Sequence, residues 1–360
     1  MAYPFSEDHD MIREAVRGWA QDWFDGGQGP EGVHKAGTGF DAKAWESLTK
    51  ELGMAGVAID EAYGGAGLGD LGRVVIMEEL GASLASVPFL STCGISVDLI
   101  TACGSDAAKA DLLPKIASGE LIVSYCDGHN ALKLEDGKIS GGVSHVVSAA
   151  NADLILLSLR DADKIEIIAI PNKTNGLQIK AHQTMDPTRA VADIGLDAVN
   201  KSDVTIIGTI SEADLNELVI QSFIALAAEC VGGAQKCLDM TLEYTGQRVQ
   251  FDRTIASFQA IKHKCADMYV AIEEARSAVY YAATAEPAEK TEAALIAKAT
   301  ATEMFFKVAG DAIQLHGGIG FTWEYPLHFF FKRARANRTM FGTPTRDYER
   351  LAVGLLGDAA

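Results

Sequence analysis

Two polar interruptions in long helical sequence carry the residues best suited to hold a phosphorylated ligand. The first reads Tyr244-Thr-Gly-Gln-Arg-Val-Gln-Phe-Asp-Arg-Thr-Ile-Ala-Ser-Phe-Gln259, and the second Gln314-Leu-His-Gly-Gly-Ile-Gly-Phe321. Arg248 offers a charge-assisted, bidentate contact to a phosphate. Gly317, Gly318 and Gly320 let backbone N–H groups approach an anion with no Cβ in the way. Two such points on one helical scaffold suit a diphosphate cofactor lying across it. Basic residues gather nearby, at Arg253, Lys262, His263 and Lys264 and again at Lys332, Arg333, Arg335 and Arg338. Taken alone, either cluster reads as a solvated helix face.

The elements that position these stretches follow from periodicity. Residues 5–120 read as helical, with Ser6 as a capping hydroxyl and Glu7, Asp8 and Asp10 near the positive end of the dipole. A helix is expected over 45–52. The glycine-rich residues 53–69 read as a surface loop, because no lysine-serine pair or strand–helix context supports a nucleotide loop. Residues 70–87 and 91–103 are again helical, and Pro114 is expected to precede a short helix. Residues 120–210 change to short β-branched runs punctuated by Asp136-Gly137, Pro171-Asn172 and Asn175-Gly176, which predicts a small β domain of about six to eight strands. From Glu212 onward long helices return, over 218–245, 259–283 and 290–315, with shorter ones near 327–340 and 345–356. Three such helices joined by short breaks should pack as an antiparallel bundle. The expected fold is mostly α with a central β domain: an N-terminal helical domain at 1–119, a middle β-barrel or sandwich at 120–210 and a C-terminal four-helix bundle at 211–360.

Composition narrows the function. The 360 residues carry 31 basic against 49 acidic side chains, a net charge of −18. That balance argues against nucleic acid or an anionic membrane as partner, but not against a local phosphate site. No uninterrupted apolar run reaches the ~20 residues of a membrane span. The N-terminus lacks a basic and then apolar leader, so the expected location is the cytoplasm. Cys93, Cys103, Cys126, Cys230, Cys237 and Cys265 form no Cys-x-x-Cys pair and read as free buried thiols, with no metal site implied.

With these residues in view, the chain resembles the acyl-CoA dehydrogenases, flavoproteins that oxidise a CoA thioester at Cα–Cβ. The resemblance spans nearly the whole length. It includes Leu52-Gly-Met-Ala-Gly56, Glu61-Ala-Tyr-Gly-Gly-Ala-Gly-Leu-Gly69, Glu78-Glu-Leu-Gly81, Arg248-x-Gln-Phe251, Phe258-Gln259, Ala266-Asp-Met268 and Gln314-Leu-His-Gly-Gly-Ile-Gly-Phe-Thr-Trp-Glu-Tyr-Pro326. It implies FAD bound across a subunit boundary. On that basis Arg248 would hold the pyrophosphate, Phe251 would line the adenine side and Gln259 would add a hydrogen bond. Gln314, Leu315, His316, Gly317 and Gly318 would close over the diphosphate and ribose. His316 reads as a hydrogen-bonding residue of that turn. An electron-transfer flavoprotein is the implied electron acceptor.

The sequence departs from the family where the chemistry is done. The usual base is a glutamate before Gly-Thr, and here Phe341 precedes Gly342 and Thr343. A minority carry the base on the first bundle helix, at a position that falls on Ser222, between Gln221 and Phe223. Neither a phenyl ring nor an unpaired serine removes a proton. The flavin-holding segments of the middle domain are replaced by Ser124-Tyr-Cys-Asp-Gly-His-Asn130 and Ser144-His-Val-Val-Ser148. The resemblance therefore points to the non-catalytic subunit of a heteromeric acyl-CoA dehydrogenase of the steroid side-chain type, to which the Phe-Gly-Thr-Pro ending is similar. A paralogous catalytic subunit would supply the glutamate and bind the acyl-CoA, with a heterotetramer as the expected assembly. Two alternatives stand beside it. One is a self-sufficient homo-oligomeric dehydrogenase with a relocated carboxylate among Glu243, Asp252, Asp347 and Glu349, each of which otherwise reads as solvated. Asp252 would repel a phosphate unless Arg253 pairs with it. The other is a flavin-free structural or regulatory paralogue.

Overall fold

A computed structural model describes residues 3–26, 29–129, 131–161 and 164–357. The chain opens with α1 (Glu7–Asp25), where Ser6 sits extended at the N-cap and its backbone N–H donates to His9 Nδ1 at 3.1 Å. Two short helices follow, α2 (Pro30–Ala36) and α3 (Ala42–Glu46), and α3 runs on into a π turn over Ser47–Glu51. The glycine-rich stretch forms 3-10 turns at Met54–Gly56 and Glu61–Tyr63. Next come α4 (Gly69–Ser83), a π segment over Leu90–Ser96, α5 (Val97–Cys103) and α6 (Asp106–Ala117). Pro114 lies inside α6 and does not precede it. The helix starts earlier because the Ser105 hydroxyl accepts the Ala108 N–H at 3.2 Å. The proline sits near the C-terminal end, where its missing N–H removes only one helix bond.

The described chain forms two compact units, one of Val33–Arg73 with Ser86–Ser222 and one from the described residues of Met1–Gly32, Val74–Ala85 and Phe223–Ala360. The first holds the strands of both four-stranded sheets. They are β1 (Val123–Asp127), β2 (Leu132–Glu135), β3 (Lys138–Val147), β4 (Leu154–Asp161), β5 (Lys164–Pro171), β6 (Leu177–Ala181), β7 (Val191–Asn200) and β8 (Thr205–Ile210). One sheet has the order β1-β4-β5-β8 and the other β2-β3-β7-β6. Strands β4 and β5 are buried almost throughout, so they read in sequence as continuous apolar runs. Asp136 and Gly137 both take positive φ, 49° and 72°, and close the β2–β3 hairpin as an Asp-Gly turn should. Leu156, Ile165, Ile167 and Ile207 from the first sheet join Leu99, Ile100, Leu113 and Ile116 of α5 and α6 in one core. The unit ends with α7 (Glu212–Gln221).

The second unit is helical. It contains α8 (Phe223–Gln247), the two-residue strands β9 (Val249–Gln250) and β10 (Arg253–Thr254), α9 (Gln259–Thr284) and α10 (Pro287–His316). A 3-10 turn over Gly317–Phe321 leads to α11 (Leu327–Asn337) and α12 (Pro344–Leu356). The helix expected from residue 218 is thus divided at Ser222. Helix α8 is buried at every residue from Phe223 to Ala234, which explains an apolar run with weak periodicity. The helical stretch Glu212–Gln247 is long and apolar enough to cross a membrane, but 78% of its most apolar part is buried inside the protein. Helices α4 and α8 touch backbone to backbone. A Cβ on Gly81 would come within 2.1 Å of the Glu229 carbonyl oxygen, and one on Gly232 within 1.8 Å of that of Glu78. Arg13 of α1 donates to Glu78 at 2.6 Å and to the Tyr280 hydroxyl at 3.2 Å, fastening α1 to α4 and α9.

Candidate functional site

The two phosphate-suited stretches lie at the same end of the helical unit. Tyr244, near the end of α8, stacks on His316, the last residue of α10, with ring centroids 4.4 Å apart. The hairpin leaving α8 and the glycine turn leaving α10 therefore start from packed helix ends. Arg248 is exposed, with its backbone held by an N–H bond to Tyr244 O and a bond accepted from Ile255, both 2.9 Å. No acid pairs with its guanidinium among the described residues. Phe251 and Asp252 form the hairpin tip with φ of 55° and 59°, and the Phe251 ring is 86% exposed. The Arg253 guanidinium lies 3.9 Å over the ring of Phe258. It does not pair with Asp252, whose carboxylate is exposed at the tip. Gln259 is exposed at the first turn of α9.

At the second point Gln314, Gly317 and Gly318 are exposed, Leu315 is half-buried and Gly320 is buried. Gly317 has φ 63° and ψ −142°, a conformation that an L side chain strains to adopt. A Cβ on Gly317 or Gly318 would meet nothing within 4 Å, so space is open above this backbone. His316 points inward. It is 3% exposed, its Nδ1 lies 2.8 Å from Ala312 O, and Tyr325 covers it with ring centroids 4.8 Å apart. Burial lowers its pKa, against backbone carbonyls that favour the charged ring. His316 thus shapes the turn as a neutral, stacked imidazole and brings no positive charge to a phosphate. An unpaired guanidinium, an exposed aromatic ring and an open glycine turn together suit an adenine dinucleotide; the exposed Asp252 carboxylate opposes a phosphate placed beside it, and against that repulsion the rest of the donor set fits FAD.

Neither of the two positions where a base is expected holds one. Ser222 ends α7 buried, its hydroxyl donating to Val219 O at 2.6 Å. The next residue, Phe223, stacks flat on Phe341, with centroids 5.7 Å apart and planes 10° apart. Phe341 takes a left-handed φ of 57° and Gly342 a φ of 112°. Behind this aromatic pair lies a buried ion pair. Lys298 Nζ lies 4.6 Å from the Phe223 ring centroid and donates to Gly342 O at 2.9 Å and to Asp347 Oδ2 at 2.7 Å.

Asp347 therefore corrects the expectation of a solvated carboxylate: both it and Lys298 have fully buried side chains. A proline-started helix places Asp347 in the inward-facing first turn of α12. Burial raises its pKa and lowers that of Lys298, each opposed by the attraction between them. Glu243 and Glu349 are exposed, as read. Ser124, in the replaced flavin segment, is fully buried and donates to Val147 O at 2.7 Å, so its hydroxyl ties β1 to β3. Asn130 of the same segment lies outside the described residues. His145, in the other replaced segment, stacks on His182, with ring centroids 5.3 Å apart. Sequence reasoning gave Phe223 no role and missed Lys298 and Glu229, whose buried carboxylate accepts from Arg333 at 2.7 Å. The available signal for Lys298 and Glu229 was a charge inside a densely apolar helical run.

Comparison with known proteins gives the same family throughout. Residues 6–120 match the model of the acyl-CoA dehydrogenase N-terminal domain, and residues 221–355 that of the acyl-CoA dehydrogenase C-terminal domain. The chain is 33% identical over 352 residues to acyl-CoA dehydrogenase IpdE2 of Mycobacterium tuberculosis, covering 96% of each. It is 31% identical over 350 residues to IpdE2 of Mycolicibacterium smegmatis, covering 96% of this chain and 98% of that one. Among solved structures, the Tcur3481-Tcur3483 steroid ACAD aligns with a TM-score of 0.86 at 27% identity, over 98% of this chain and 99% of that one. The acyl-CoA dehydrogenases are FAD-dependent oxidoreductases of CoA thioesters, and this chain belongs to their family.

Proposed function

We propose that this chain is the non-catalytic, FAD-gripping subunit of a heteromeric acyl-CoA dehydrogenase. One observation carries the reading: Phe341, stacked on Phe223, stands where the family's glutamate belongs. The reaction removes a proton from Cα and a hydride from Cβ, leaving a Cα–Cβ double bond. The chemistry FAD would supply when held here is that of a hydride acceptor. The proton goes to a glutamate of a paralogous catalytic subunit, which also binds the acyl-CoA. In this chain Arg248 would neutralise the pyrophosphate and Phe251 would cover the adenine, while Gln259 and Gln314 would add side-chain hydrogen bonds and Leu315, His316, Gly317 and Gly318 would supply turn backbone. The assembly is a cytoplasmic heterotetramer, reoxidised by an electron-transfer flavoprotein. The acyl group belongs to the steroid side-chain class, supported by the Phe-Gly-Thr-Pro ending and by likeness to a structure described as a steroid ACAD.

The test is to purify the chain alone and with its paralogous partner, and to compare acyl-CoA oxidation and bound flavin. Activity is expected only from the pair. In the complex, Arg248→Ala should weaken FAD retention about tenfold, the worth of one charge-assisted hydrogen bond. Unchanged flavin occupancy would remove Arg248 from the site. Oxidation of acyl-CoA by this chain alone would refute the subunit assignment.

A further inference from the structure

Between α11 and α12 runs the short connector 338–343, which carries Phe341. Both of its ends are tied into the core by buried charge. At the entry, Asn337 is fully buried, and its amide donates to Glu229 Oε2 at 2.8 Å. Glu229 also accepts from Arg333 of α11 at 2.7 Å, so α11 is fixed to α8 along one face. At the exit, Lys298 of α10 grips both the Gly342 carbonyl, at 2.9 Å, and Asp347 of α12, at 2.7 Å. Within the connector the backbone turns on itself through Met340 N–H to Asn337 O at 3.2 Å and Gly342 N–H to Thr339 O at 3.3 Å.

Neither ion pair is an economical way to stabilise a helical bundle. Well-packed apolar residues of similar volume commonly do as well or better, because two ions need not be taken out of water. What such a pair adds is a single permitted arrangement of the groups that satisfy it. Here those groups bracket a residue in a conformation that favours glycine, Phe341 at φ 57°. A left-handed non-glycine residue persists only where its surroundings over-determine it.

We infer that Glu229–Asn337 and Lys298–Asp347 are positioning pairs that clamp the connector at both ends. They hold the Phe341 ring as a fixed wall against Phe223. The inference rests on the reading of Phe341 as the vacated base position, and it gives that position a rigid occupant where a loose loop could have stood. Lys298 thereby acts on the site through the Gly342 carbonyl, without facing a substrate itself.

The test is hydrogen exchange of the full-length chain, read on peptides covering 338–343, in Lys298→Met/Asp347→Leu. Exchange there should quicken at least about tenfold, while Tm does not fall and α8 and α9 keep their protection. A purely structural pair would leave the connector no more exposed than its neighbours in this variant. Should the double variant fail to fold, Asp347→Asn serves, since it keeps the shape and one acceptor for Lys298. Its connector exchange should rise at least about threefold over that of α8. Native protection of 338–343 in either folded variant would overturn the clamp. The measurement needs neither flavin nor partner, so a failure of the subunit assignment would show separately, in acyl-CoA oxidation by this chain alone.

Discussion

Lys298 and Asp347 show how a single residue's environment decides its role. In sequence Asp347 is one acid of a turn, and nothing local distinguishes it from Glu349. In the structure Asp347 is fully buried and Glu349 is exposed. The difference lies in the face of α12 that turns inward, which only the packing determines. Lys298→Met alone should destabilise the chain by roughly 3–5 kcal/mol, because it leaves a buried carboxylate without its cation. Lys298→Met with Asp347→Leu should be neutral or stabilising by about 1–4 kcal/mol, as denaturant unfolding would show. The pH dependence has a sign. Asp347's raised pKa means its burial is favourable at low pH and loses ground as pH rises through the folded value. Lys298's lowered pKa means its burial loses ground as pH falls through the folded value. Both effects oppose the ionised pair near neutrality. The double variant's advantage should therefore peak there. It should narrow toward the ordinary aspartate value of 3.8 and toward the ordinary lysine value of 10.5. A second substitution addresses the vacancy itself. Phe341→Glu returns a carboxylate, but Ser124 is committed to Val147 O and a flavin pocket needs more than a base. No acyl-CoA oxidation is expected from that variant alone, and measurable turnover would show that the base was the only missing part.

Elements were legible where their pattern was strong. The long helices α9 and α10 appear within a few residues of their expected spans, since no proline or glycine cluster interrupts them. Strands β4 and β5 stood out as buried β-branched runs, whereas β2 and β6 alternate half-buried and exposed positions and carry too few apolar residues to announce themselves. The break at Ser222 was hidden because helical residues flank it on both sides. The contact of α4 with α8 also left little trace beyond Gly81 and Gly232. Those two glycines permit backbone contact, and Gly232→Ala should cost about 1–3 kcal/mol or more through overpacking against Glu78, read as a lowered denaturation midpoint. Gly317 makes a different demand. Gly317→Ala meets open space but a strained φ and ψ, so about 1–3 kcal/mol of strain should fall on the turn. Its effect on flavin retention in the complex should exceed its effect on global unfolding.

At the scale of the whole molecule, the proposed subunit role separates the residues suited to grip a dinucleotide from the base that would use it. Arg248, Phe251, Gln259, Gly317 and Gly318 are exposed, and they stand out in sequence by charge, aromatic character and glycine spacing. Of the two positions where a base is expected, one is the buried Ser222 and the other is Phe341, stacked on Phe223 with the Lys298–Asp347 pair behind it, and that arrangement was invisible until α8, α10 and α12 were folded together. A net charge of −18 adds a constraint on partners: association should quicken with a paralogue that presents basic residues, and slow with rising salt. The most direct measurement is the visible absorption spectrum of this chain purified alone and then mixed with its catalytic paralogue and FAD. A flavin band with acyl-CoA-dependent bleaching that appears only in the mixture is the expected result. A yellow protein, bleached by acyl-CoA with no second subunit present, would contradict the account.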